Sequence, residues 1–118
     1  MHNFRELQVW ELAMQVAEEV YKVLVFLPKE ERYELASQIR GCVVSVPSNI
    51  AEGSGRGTDK DFAHFLNMAL GSSYELETQL LLAKRLFAGI QAKIDPILPK
   101  LTQLQKMIYA LIKRLRKE

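Results

Sequence analysis

Residues 45–61 read SVPSNIAEGSGRGTDKD, and the place where a helix stops within them sets the architecture of the whole chain. Upstream, Leu35, Ile39, Val43, Val46 and Ile50 recur at three- and four-residue steps, the spacing of one helical face. That row ends just before three glycines fall within five residues, at Gly53, Gly55 and Gly57. Gly53 is therefore expected to close the helix as a left-handed cap. A new helix opens almost at once, because Thr58 is a good N-cap, Asp59 sits in the first turn and Asp61 follows the cap by three. Two long helices joined by so short a turn must be neighbours.

Working outward gives four helices, over about residues 5–26, 30–53, 59–88 and 95–117. The first carries Trp10, Ala13, Ala17, Val20, Leu24 and Leu27 on one row, with Val9, Leu12, Val16 and Val23 on a second. Pro28 ends it, and the acidic PKEER segment restarts the chain where a helix dipole favours carboxylates. Phe62, Phe65, Ala69, Leu76, Leu80, Ala83 and Phe87 mark the third helix, with Gly89 at its end. Leu101, Leu104, Ile108, Leu111 and Leu115 mark the fourth, which Asp95 and Pro96 open. Strand alternation is missing throughout. The expected fold is one all-α domain, an antiparallel up-down-up-down four-helix bundle with its second helix kinked at Pro47. Val9, Val16, Met107 and Ile112 fall outside a single seam, so a lone bundle would expose them and a homo-oligomer is expected.

The chain has 118 residues, 48% of them hydrophobic and 25% charged, which argues against disorder. Its apolar runs fall well short of the ~18 residues a membrane span needs, and MHNFRELQVW is amphipathic rather than a leader, so a cytoplasmic location is expected. Cys42 is the single cysteine and cannot form an internal disulfide; among RG and VVS it reads as a small buried residue. The net charge of +2 conceals a division: residues 1–83 hold seven Lys/Arg against twelve Asp/Glu (net −5), and residues 84–118 hold nine against two (net +7). Lys84, Arg85, Lys106, Lys113, Arg114, Arg116 and Lys117, together with Arg56, are the candidate cations for nucleic acid or another partner. Complementing a helix dipole is the plainer role for the last four.

Catalytic chemistry finds little support. A phosphate loop needs a lysine and a hydroxyl residue after its last glycine and a strand before its first; GSGRG has neither. His2 lies in a terminus expected to be loose, and His64 has no second ligand at the spacing of a zinc helix. Ser45 and Ser48 lack a base and a nucleophile elbow. Glu52 and Glu75 are more simply solvated or paired carboxylates. No enzyme activity, metal, cofactor, small-molecule substrate or membrane association is expected.

Glu34, Gln38, Gly41, Ser45, Ser48, Asn49, Glu52 and Arg56 fall on one stripe opposite the aliphatic row of the second helix. Gly, Ser and Asn are costly inside a helix, so their use here points to close approach of another backbone. A hairpin about SGRG sets Gly41 opposite Gly71 and Ser45 opposite Asn67, a close crossing with the polar pair satisfying each other.

The segments LQVWELAMQVAEEVYKV, SQIRGCVVSVPSNIAEGSGR, DFAHFLNMALGSSYELETQL and LAKRL resemble, in order, the four-helix-bundle proteins encoded in intervening sequences of bacterial 23S ribosomal RNA genes, also called the S23 ribosomal protein family. The likeness covers nearly the whole chain. Ser45, Pro47, Ser48, Asn49, Ile50, Ala51, Glu52, Gly53 and Arg56 match the family string, and Gly71, Ser72, Glu75 and Glu77 match its third-helix segment. Gly41 and Leu70 depart from it, standing where relatives often carry a basic residue. The resemblance implies a homopentamer. A related group, the accessory protein of diversity-generating retroelements, implies a reverse transcriptase and nucleic acid as partners. The expected function is a non-enzymatic oligomeric bundle that binds RNA or a nucleoprotein; the alternative is a protein-interaction scaffold without a nucleic-acid role.

Overall fold

Asn3 fixes the entry into the first helix: its Oδ1 accepts from the Arg5 N–H (3.2 Å) and caps a single 3-10 turn, Phe4–Glu6. Leu7 is then extended, so α1 spans Gln8–Leu24, a few residues inside its expected bounds. The computed structural model describes residues 2–117, and among them every regular element is helical. After α1, PKEER closes a separate 3-10 turn, Lys29–Glu31, with Glu31 and Arg32 N–H groups donating to the Pro28 and Lys29 carbonyls. Glu34 leaves helical geometry (φ −111°, ψ −105°), and α2 starts only at Leu35, running to Ser54. Local bonding within the acidic turn therefore displaces the expected start at about residue 30.

The third helix, α3, spans Asp59–Leu86, and Thr58 caps it by accepting from the Asp61 N–H at 3.1 Å, as its spacing predicts. Gly89 takes the left-handed conformation (φ 91°) beyond that helix. The expected fourth helix forms as the long α5 (Ile97–Arg116), within its expected bounds, and a single turn α4 (Gln91–Ile94), in a stretch assigned to no helix, precedes it with Asp95 and Pro96 between them. Gln91 braces the turn: its Oε1 accepts from the Gly89 N–H and its Nε2 donates to the Lys84 carbonyl, both at 2.9 Å.

Each long helix packs against two others, α1 and α3 each lying against both α2 and α5. Late α1 meets early α5 through Glu19 and Lys100, whose Nζ lies 2.7 Å from the carboxylate. Further along, Gln105 Nε2 donates to the Glu77 carboxylate at 2.9 Å. The 28 residues of α3, at ~1.5 Å each, account for most of the 45 Å long axis. None of the helices is long and apolar enough to cross a membrane among the described residues.

The core corrects the expected faces. In α1 the buried row is Val9, Ala13, Val16, Val20, Val23 and Leu24, and Trp10 and Ala17 lie at its edge. In α5 Ile112 turns inward and Leu111 only partly so, while Met107 packs on the core. Val9, Val16 and Ile112 are thus buried within one chain and give no reason for self-association. The large apolar side chains left exposed lie mainly elsewhere: Met68, Tyr74, Leu81, Leu82 and Leu86 on α3, and Tyr21, Val25, Phe26 and Tyr33 around the α1–α2 turn, with Val44 on α2 and Tyr109 on α5 standing apart.

Gly53 is not the left-handed cap. It lies inside α2 and is buried, and a Cβ there would come within 2.6 Å of the Phe65 Cβ and 3.0 Å of the Phe62 ring. The glycine lets α2 and α3 close on one another; Gly55, at φ −86°, ends the helix instead. The close crossing expected at Gly41 and Gly71 does not form, for a Cβ at either meets nothing within 4 Å. Nor do Ser45 and Asn67 pair. The Ser45 hydroxyl donates to the Cys42 carbonyl (2.9 Å), the Asn49 amide donates to the Ser45 carbonyl (2.8 Å), and Asn67 is exposed. Pro47 is buried in α2, whose helical run continues unbroken through it.

Candidate nucleic-acid interface

Helix geometry sorts the eight candidate cations into two groups. Arg56 is held internally: it meets Glu52 one turn back at 2.8 Å, and its guanidinium lies 4.6 Å above the Phe65 ring. Lys84 pairs with Asp95 across the turn between α3 and α5. Both pairs are partly exposed and add little stability, but they occupy the charge that a phosphate would use. Arg85 stands on the outer face of α3 beside Thr78, Leu81 and Leu82.

The other five lie on α5 and its cap: Lys106, Lys113, Arg114, Arg116 and Lys117, all exposed. Among the described residues none of these five forms an ion pair within 4 Å. Four of them fall within five residues at the end of the helix, where the left-handed Lys117 (φ 57°) turns the chain. Lys113 lies 5.7 Å from the centre of the exposed Tyr109 ring, a cation beside an aromatic face. Arg114 borders a cleft of about 510 Å³ between the N-terminal turn and α5, with Leu7 and Met107 among its walls. Two sequence candidates are thus paired internally, and the tail cluster meets no carboxylate among the described residues.

The motif residues gather at two places. Pro47 and Ser48 face Trp10 and Met14 across an apolar groove of about 340 Å³ between α1 and α2. Glu52 belongs to the Arg56 pair, and Gly53 to the α2–α3 closure. Gly71, Ser72 and Glu75 lie on α3, where Glu75 approaches Cys42 of α2. Burial, and then the hydrogen bond and charge of Glu75, push the Cys42 thiol above its ordinary value, which leaves little thiolate at neutral pH. Beside it Gln79 is buried with its Oε1 unpartnered. His2 is tied down rather than loose: its N–H donates to the Ser54 carbonyl (2.8 Å) and its ring lies 5.1 Å from that of Phe62. His64 is exposed. No three His, Cys, Asp or Glu among the described residues are grouped to hold a metal ion.

One cluster escaped the sequence reading. Lys29, Arg32 and Arg40 converge on a cleft at the α1–α2 turn. Their spacing across two elements, with Glu30, Glu31 and Glu34 interspersed, hides the grouping in a linear reading.

A family model described as 23S rRNA-intervening sequence protein matches residues 5–110. The match takes in the α2–α3 junction, Lys84, Arg85 and Lys106, and stops short of Lys113–Lys117. No curated protein matches the chain.

Proposed function

The chain belongs to the 23S rRNA-intervening sequence protein family, and we propose that it is a non-enzymatic, cytoplasmic, self-assembling bundle that binds RNA through the basic end of α5. Its long helices alternate in direction, a reading supported by the short connections and by the meeting of late α1 with early α5. The observation that carries RNA binding is the exposed cluster Lys113, Arg114, Arg116 and Lys117, which forms no ion pair among the described residues, with Lys106 two turns earlier on the same helix. Such a cluster attracts phosphate without reading sequence. Assembly into the homopentamer that the family resemblance implies would repeat it on each copy and turn a modest patch into a basic ring. Arg56, Lys84 and Arg85 contribute less in this reading, the first two being paired already.

The test is fluorescence anisotropy with a fluorescein-labelled single-stranded 20-nucleotide RNA, titrated at several salt concentrations. Four phosphate contacts per site predict a log–log slope of about −2.8 against salt. Replacing Lys113, Arg114, Arg116 and Lys117 together by Ala should weaken binding at least tenfold and flatten that slope. Affinity that ignores salt, or survives the fourfold replacement, rejects the reading and leaves the scaffold function in its place.

A further inference from the structure

The cleft at the α1–α2 turn has a volume of about 400 Å³, within the range of side-chain and ligand sites. Its interior is aliphatic: Leu24, Leu27 and Ala36 are buried around it. Tyr21 and Val25 form a wall open to solvent, Val25 being 77% exposed. Every charged residue lining it is a cation, namely Lys29, Arg32 and Arg40. Arg40 is set in place, its Nη2 donating to the Arg32 carbonyl at 3.0 Å, which ties α2 to the preceding turn. Among the described residues none of the three pairs with a carboxylate within 4 Å, in contrast to Arg56, Lys84 and Lys100.

An uncovered apolar cleft rimmed by unpaired cations has a definite complement. We propose that it is a docking site for an acidic, apolar segment of a protein partner, which inserts one large apolar side chain while a neighbouring carboxylate meets Arg32 and Arg40. Charge complementarity argues for this occupant over two others. The acids of the same turn, Glu30, Glu31 and Glu34, lie outside the cleft; Glu31 accepts from the Leu35 N–H at 3.4 Å, and Glu30 and Glu34 are exposed. They would repel a polyphosphate over its length, whereas a single carboxylate reaches the cations without meeting them. The aliphatic floor offers a base little to stack on, Tyr21 being the one aromatic of the lining. A second copy is also ill matched. Its longest exposed apolar row, on α3, carries Arg85 between Leu82 and Leu86 and would set like charges together.

The site is independent of the RNA-binding end, so the two readings fail separately. The test pans a phage library of random dodecapeptides on the whole protein, then measures the enriched peptides, fluorescein-labelled, by anisotropy against variants. The expected peptides carry Asp or Glu within two positions of Leu, Phe or Trp. Arg32→Glu with Arg40→Glu should weaken them at least tenfold, as should Val25→Asp on the cleft wall. Both variants should leave RNA affinity unchanged within twofold. Because Arg40 is half-buried, Lys29→Glu with Arg32→Glu, both exposed, repeats the measurement if the first pair loses its helical circular dichroism. Failure to enrich, enrichment of basic peptides, or equal binding to the charge-reversed variants overturns the proposal. So does a lower native mass in those variants, which would make the occupant a second copy, or a loss of RNA binding, which would make it a nucleic-acid site.

Discussion

A Cβ on Gly53 would lie 2.6 Å from the Cβ of Phe65, an atom fixed to the α3 backbone that cannot swing away, so one methyl group would force α2 and α3 apart. Gly53→Ala should therefore destabilise the fold by about 1–2 kcal/mol, the overpacking cost exceeding the ~1 kcal/mol by which alanine favours a helix interior. Gly41→Ala should act in the opposite direction. Nothing lies within 4 Å of its Cβ position, so alanine there gains about 0.5–1 kcal/mol. Urea unfolding of the two variants checks both signs. If Gly41→Ala instead lowered the native mass, its open space would be a subunit contact. The two glycines look alike in the sequence, each preceding a residue that favours neither reading. What separates them is the pair Phe62 and Phe65 on another helix, which linear spacing does not bring to mind.

Helix α2 carries Pro47 in its interior, where the ring removes one N–H and presses on the Val43 carbonyl. The Ser45 hydroxyl does not relieve this, since it donates to the Cys42 carbonyl. Proline in such a position is about 3 kcal/mol worse than alanine in isolation, while burying its ring in the Trp10 groove returns roughly 1–2 kcal/mol. Pro47→Ala should thus raise stability by about 1 kcal/mol in urea. Because Trp10 is the one tryptophan, its emission should shift to the red as the groove wall recedes. An unchanged spectrum with lower stability would mean that the ring packs better than this balance allows. At this scale the sequence was a good guide where signals are local. The Thr58 cap and the core row of α2 follow from spacing alone, since capping and periodicity act within a turn or two. It was a poor guide where short-range bonds compete, as before Leu35, where a 3-10 turn takes residues assigned to the second helix, and at Gln91–Ile94, where a single helical turn forms in a stretch assigned to a connection.

For the molecule as a whole, which apolar residues face water decides how copies can meet. The division into −5 and +7 segments survives folding only in part: α5 packs between α1 and α3, and its Lys100 pairs with Glu19 of the acidic segment, while Lys84 meets Asp95 within the basic one. The spacing placed an apolar excess on the first and fourth helices, whereas the exposed apolar side chains lie mainly on α3 and around the α1–α2 turn. A helix whose row is one residue out of phase exchanges a buried position for an exposed one, and two rows of α1 fit the spacing almost equally well. With Val9, Val16 and Ile112 in the core, the proposed self-assembly is expected to use the exposed row of α3, where Leu82 is 44% and Leu86 58% accessible. Leu82→Glu with Leu86→Glu should then shift native mass to a single chain at micromolar concentration. The stability of that chain should change by no more than about 0.5 kcal/mol, as for other surface substitutions. Ile112→Ala should do the reverse, costing about 2–5 kcal/mol through a core cavity while leaving the mass of the folded fraction as it was. Native mass spectrometry and urea unfolding on both variants separate the two faces. Retention of an oligomer by the Leu82/Leu86 variant would move the interface to the exposed apolar surface at the α1–α2 turn, where Tyr21 and Val25 would be shared with the docking cleft.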